Sequence, residues 1–231
     1  MNQRLKSILV ILALIVAVGY SAWQNQNGGA LSRSSQDQSA SGDFDFYVLS
    51  LSWSPTFCAE QSDGNDNEQC GLAKPYAFVV HGLWPQNEQG FPADCWSKFG
   101  NRLVRRSVDS MLDIMPSRDL VFHEWRKHGT CSGLSPDDYF ALVRKAKQQI
   151  TIPRQYVKLT NYLTVAPNEV ERAFIGANPS LHQNAIAVTC SNRYLKEVRI
   201  CMDRALNFRS CPEVDAKSCR AAKTVMPPVR G

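Results

Sequence analysis

The ten residues "FHEWRKHGTC" (Phe122–Cys131) bring two histidines, a carboxylate, two cations and a cysteine into one short run. About forty positions upstream, "FVVHGLWPQ" (Phe78–Gln86) holds a third histidine, His81, beside Gly82 and close to Trp84. The chain has 4 histidines in all, so two stretches take most of them. The first reads as a helix and the second as a short buried strand, which sets the class of fold as well as the chemistry.

Four chemistries compete for this cluster. In a zinc-binding helix two histidines sit at i and i+4 to face one ion. His123 and His128 are five apart, so on a helix their directions diverge by about 140°, and Lys127 between them repels a cation. Nucleophilic catalysis needs a Ser or Cys beside a base, but no G-x-S-x-G occurs and the cysteines are committed to bridges. Core histidines would explain one ring; they do not explain this density of ionisable groups. On a helix over 122–128, Glu124 and His128 share one face and His123 and Lys127 the adjacent one.

Acid–base attack on a phosphodiester uses the whole inventory. Imidazole titrates near ~6.5, so one ring can start neutral and another protonated. A base takes the ribose 2′-proton, the freed oxygen attacks phosphorus, and an acid protonates the departing 5′-oxygen. A cation and a further donor steady the added negative charge. DNA lacks the nucleophile and is expected to be inert.

The surrounding sequence reads as α+β. "DFDFYVLSLSWSP" predicts a strand over Phe44–Trp53 stopped by Pro55. "EQSDGNDNEQ" reads as an exposed loop, and "RRSVDSMLDIMP" as an amphipathic helix halted by Pro116. "SPDDYFALVRKAKQQI" is the clearest helix: Ser135 caps it, Asp137 and Asp138 favour its positive end, and Tyr139, Leu142, Val143 and Ala146 share a face. "APNEVERAFIGANP" predicts a second, shorter helix. "NAIAVTCS" and "LKEVRICMD" predict a hairpin. Strands and helices do not alternate as βαβ units, and no repeat is present.

At the N-terminus "MNQRLK" is basic, and Ile8–Gly19 is an apolar run of signal-peptide length, short of the roughly 20 residues of a membrane span. Residues 1–23 are expected to be a cleaved signal, with an uncleaved anchor as the alternative. The polar stretch 24–43 reads as a flexible leader, and 44–231 as the folded domain. All 8 cysteines lie after the leader, which predicts four disulfides in an oxidising compartment, although spacing alone leaves the pairing open. No N-glycosylation sequon occurs: Asn178-Pro-Ser carries the forbidden proline. Removing Arg4 and Lys6 from 26 basic residues leaves 24 against 21 acidic, a net of +3 that diagnoses no nucleic-acid binder.

"HGLWP" (His81–Pro85) and "HEWRKHGTC" (His123–Cys131) closely resemble the two active-site segments of the ribonuclease T2 family. "YVLSLSWSPTFC", "SPDDYFALV" and "EVRICMD…FRSCP" resemble further segments of it, so the likeness covers most of Phe44–Cys219. The resemblance implies a central, mainly antiparallel sheet flanked by helices. It implies His128 as the group that takes the 2′-proton and His81 as the one that protonates the leaving oxygen. Glu124 and Lys127 would stabilise the phosphorane, His123 would bind phosphate, and Trp84 resembles the base-stacking aromatic. The pairings implied are Cys58–Cys70, Cys95–Cys131, Cys190–Cys219 and Cys201–Cys211, the last two nested. Gln86 stands where some members carry an acid that helps choose the base, so their preference does not transfer. Arg126 is expected on a solvated face, and Trp125 in the core.

The function expected is a periplasmic or secreted, monomeric endoribonuclease. It needs no cofactor or metal, acts on single-stranded RNA through a 2′,3′-cyclic phosphate to a 3′-phosphate, and meets a membrane only through an uncleaved N-terminus. Two rival readings are a binding protein that keeps the fold without turnover and a zinc-dependent hydrolase.

Overall fold

The computed structural model describes residues 41–61, 67–71 and 75–230. The expected signal and nearly all of the expected leader therefore lie outside the described residues. Ser41 and Gly42, assigned to the leader, are docked: the Ser41 hydroxyl donates to the Thr130 carbonyl at 2.7 Å and the Gly42 N–H to the Cys131 carbonyl at 2.9 Å. Ordered chain thus starts before Asp43.

In chain order the elements are β1 (Phe46–Trp53), α1 (Ser54–Glu60), α2 (Asn67–Cys70), β2 (Phe78–Gln86), α3 (Arg105–Asp109), α4 (Arg118–Lys127), α5 (Pro136–Gln148), α6 (Arg154–Val157), β3 (Leu163–Val165), α7 (Pro167–Ala177), β4 (Ile186–Ser191), β5 (Tyr194–Met202), α8 (Pro212–Asp215) and β6 (Thr224–Met226). β2, β1 and β5 run side by side in antiparallel register, and β4 takes the other edge of β5. β6 joins β5 in parallel at Tyr194–Val225 and carries β3 beyond it. The α+β architecture with a mainly antiparallel sheet is as expected.

Alternation along the strands divides the sheet into two unlike faces. Tyr47, Leu49, Leu51, Val80, Leu83, Val198 and Ile200 point into the main core, where α4 and α5 lay Val121, Trp125, Tyr139, Phe140 and Val143. The opposite face is apolar only at one end, around Phe46, Val48, Ala187 and Cys201. Further along the same face the residues are Ser50, Ser52, Glu197 and Arg199, and the candidate site forms there. α5 begins as predicted, with the Ser135 hydroxyl accepting from the Asp138 N–H at 3.2 Å.

Three local expectations need correction. The segment after Arg105 is helical only to Asp109 and continues in turns to Met115. The cause is tertiary: the Ile114 carbonyl accepts from the Val80 N–H at 2.9 Å, which draws the chain onto β2. Residues 67–70, read as loop, form the single turn α2, which Cys70 ties to α1. β1 starts at Phe46, two residues later than predicted.

The disulfides are Cys58–Cys70, Cys95–Cys131, Cys190–Cys219 and Cys201–Cys211, the pairing the resemblance implied. Cys95–Cys131 matters most for the site, because Cys131 follows His128 by one short 3-10 turn (Gly129–Ser132). A Cys95→Ala/Cys131→Ala double variant is expected to lose about 2–5 kcal/mol in urea denaturation.

Candidate active site

β1 and β2 pair regularly except at one place. Ser50 lies opposite Gly82 and Leu51 opposite Val80, which leaves His81 as the extra residue of a bulge. A bulge bends its strand and re-aims the side chain it carries. The His81 ring accordingly meets β5, where its Nδ1 lies 2.7 Å from Glu197 Oε1. Glu197 is 1% exposed, and its other oxygen accepts from Arg199 Nε at 3.1 Å and Nη2 at 2.8 Å.

On its other side, His81 Nε2 lies 3.6 Å from Glu124 Oε1. Glu124 is fully buried on α4. Its Oε2 accepts from Trp84 Nε1 at 2.8 Å, whereas Oε1 has no hydrogen-bond partner. Gly82 makes this possible: a Cβ there would overlap the Glu124 carboxylate and the Trp84 indole nitrogen.

α4 ends at Lys127. His128 is its C-cap, with non-helical φ −121° and ψ −44°, so the helical arc supposed for 122–128 stops one residue short. Its ring is buried and lies 5.4 Å from Trp84, centroid to centroid, while His81 lies 5.2 Å from the same indole. His128 Nδ1 is sealed without a partner, which leaves Nε2 as the nitrogen open to proton exchange.

His81, Trp84, Glu124, Lys127 and His128 line one cavity of about 320 Å³, with Phe91 at its rim. A larger hollow of about 820 Å³, bounded by Ser52, Gln69 and Leu120, opens on the other side. His81 and His123 line both, so an extended ligand could cross the two rings. All six site residues named from sequence thus come together. Arg126 is exposed and Trp125 fully buried, as read. Gln86 turns its amide onto the Gly90 carbonyl at 2.6 Å.

The sequence reading missed Glu197, Arg199 and Phe91. A signal existed for the first two, since "KEVR" puts Glu197 and Arg199 two apart, on one face of a strand whose neighbouring residues on that side are expected to be buried. Phe91 is 54% exposed beside the cavity, an unusual place for a large ring.

The two central imidazoles are driven apart. Burial pushes His128 down to about 3, helped by the charges of Lys127, His81 and His123. Burial also pushes His81 down, but its hydrogen bond to Glu197 and the Glu124 and Glu197 charges outweigh it, so His81 ends above its ordinary value. Burial lifts Glu124 to about 7 against the pull of His81 and Trp84. Glu197 would also rise on burial, but His81 and Arg199 bring it down to about 2. His123 is lowered by burial and then by Lys127, His81 and Arg126. The two rings are thus shifted in opposite directions, and the Glu124 carboxyl beside His81 is lifted to about 7.

A model of the Ribonuclease T2 family matches residues 44–211. A protein named Ribonuclease from Aeromonas hydrophila is 32% identical over 207 residues, covering 87% of this chain and 86% of that protein. Ribonuclease I of Escherichia coli is 30% identical over 201 residues, covering 69% and 75%. Among solved structures, an RNase-related protein from Calystegia sepium superposes with a TM-score of 0.64 at 21% identity, over 81% of this chain and 98% of that one. RNase NT in complex with 5′-AMP gives 0.62 at 22%, over 80% and 99%. These two likenesses speak for the fold.

Three outcomes are expected. In an NMR titration the His128 ring stays neutral until pH approaches about 3, whereas His81 remains protonated above about 6.5. The linked stability follows in sign: the Glu197 share is present above about 4.5 and lost as pH falls toward about 2. The His81 share is complete below about 6.5 and lost as pH rises through its raised value. Urea midpoints across that range check both. Gly82→Ala is expected to cost about 1–3 kcal/mol by overpacking and to change the Trp84 fluorescence as Glu124 is displaced.

Proposed function

The chain belongs to the ribonuclease T2 family and is an endoribonuclease of that type; we propose that it cleaves single-stranded RNA by metal-independent transphosphorylation. The observation that carries this reading is that two imidazoles shifted in opposite directions, His128 down and His81 up, flank the same indole and line the same cavity.

His128 Nε2 removes the proton from the ribose 2′-hydroxyl. The 2′-oxygen bonds to phosphorus, the bond to the 5′-oxygen breaks, and His81 Nε2 gives that oxygen its proton. The products are a 2′,3′-cyclic phosphate and a free 5′-hydroxyl. With the roles exchanged, water opens the ring to a 3′-phosphate. Each proton transfer is worth roughly 10²–10⁴-fold. Lys127 supplies positive charge to the phosphorane. Glu124, lifted to about 7 and held at Oε2 by Trp84, lies beside His81 Nε2 and is the second group assigned to steadying the phosphorane. His123 reaches the phosphate from the shared wall of the two hollows.

Trp84 is flanked by Arg199 and His128, so Phe91 adds the more open ring for base stacking. Nothing in the donor set discriminates between bases, and none is assigned. Four closed disulfides support export to an oxidising compartment, with residues 1–23 as the signal or an uncleaved anchor, the leader read over 24–43 giving up Ser41 and Gly42 to the fold, and the protein acting as a monomer.

Incubation with RNA in EDTA is expected to yield cyclic-phosphate ends at an undiminished rate, with matched DNA intact. His128→Ala is expected to lower kcat by roughly 10²-fold or more. Normal turnover in that variant, or loss of activity in EDTA, refutes the mechanism.

A further inference from the structure

Glu197 lies outside the two histidine segments and touches no position where RNA would react, yet it is the closest polar partner of His81. Its carboxylate is sealed in the middle of the sheet. By register it stands opposite Ser52 on β1 and Thr189 on β4, so its side chain rises from an interior strand beside the larger hollow. A lone buried carboxylate is costly. Here one oxygen receives the His81 ring at 2.7 Å and the other the Arg199 guanidinium in a two-point fork. Arg199 is itself held over the Trp84 ring, 5.2 Å from its centroid.

We infer that Glu197 is the positioning residue for the acid step, fixing the His81 ring so that Nε2, and not Nδ1, gives and regains the proton. The inference rests on the proposed role of His81. An ionised carboxylate only accepts, so Nδ1 must carry hydrogen in both states of the ring. Once Nε2 has protonated the leaving oxygen, the neutral ring is left as the Nδ1–H tautomer. That form is ready to take a proton from water at Nε2 when the cyclic phosphate is opened. Proton exchange is confined to one atom, and no ring flip is needed between the half-reactions. Arg199 keeps Glu197 ionised and aimed.

The charged groups facing His81 come from two elements. β5 contributes Lys196, Glu197 and Arg199; α4 and its cap contribute His123, Glu124, Lys127 and His128. Glu124 sits at Nε2 and is 3.6 Å away, whereas Glu197 makes the direct hydrogen bond at Nδ1. Removing the Glu197 charge therefore weakens the protonated ring while the cations remain.

The test combines Glu197→Gln, His81→Ala and two substrates. One substrate is a dinucleotide, whose leaving alkoxide needs a proton; the other is a uridine 3′-(4-nitrophenyl phosphate), whose leaving phenolate does not. Glu197→Gln is expected to lower kcat on the dinucleotide by roughly 10–10²-fold, with little change in KM. Its basic pH limb should move down by about 1 unit, and most of the rate should return on the activated ester. Loss on both substrates alike, or an unmoved limb, overturns the inference. If His81→Ala is not rescued by the activated ester, the acid assignment itself fails, which separates the two readings. Independently of folding in any variant, ¹⁵N shifts of the native protein at alkaline pH should show neutral His81 as the Nδ1–H tautomer. Finding the proton on Nε2 would also overturn it.

Discussion

The structure turns on a closed ring of five side chains around one imidazole. His81 is gripped at Nδ1 by Glu197, Glu197 by Arg199, and Arg199 lies over Trp84. Trp84 donates to Glu124, and Glu124 faces His81 Nε2. Two buried carboxylates this close to one another would be intolerable as a pair of bare charges. They are tolerable because the His81 imidazole, whose affinity for a proton they raise, lies between them and the guanidinium balances the outer one. Their titrations differ widely: burial lifts Glu124 to about 7, whereas the burial of Glu197 is outweighed by His81 and Arg199, which bring it down to about 2. That difference suits Glu197 to the part of a fixed counter-ion in the proposed mechanism.

The ring closes only because the backbone delivers its members at the right depth. The bulge at His81 lets β2 stay paired with β1 while turning one residue toward β5. Gly82, next along, leaves the space in which the Glu124 carboxylate and the Trp84 indole meet. On the helical side, Gly129 does the same for the turn beyond His128, since a Cβ there would overlap Trp125. Trp125 is bound to Gly100 through its indole N–H, and Asp94 to the Lys127 carbonyl, so the loop carrying Phe91 and Cys95 is tied to the end of α4. Motif glycines and core aromatics thus hold the positions of the reacting groups without touching them.

How much of this could be read in the sequence follows the range of each interaction. The cluster around Glu124, Lys127 and His128 was legible because helical spacing is local, as was the Ser135 cap. The hairpin of β4 and β5 was legible for the same reason. The disulfide pairing was not derivable from spacing and came only with the family resemblance. Glu197 stayed hidden because 116 positions separate it from His81 and only the β1–β5 register brings them together. The helix expected through Met115 failed for the same kind of reason: Met111 and Met115 are buried, but the Ile114 carbonyl is claimed by β2.

Cys95–Cys131 has a cellular consequence. The bridge closes just past His128, on the segment that must deliver the neutral imidazole to its place. Thiol-rich cytosol opposes that closure, whereas an oxidising compartment favours it. Closure of this bridge therefore couples the placing of His128 to the redox state around the chain.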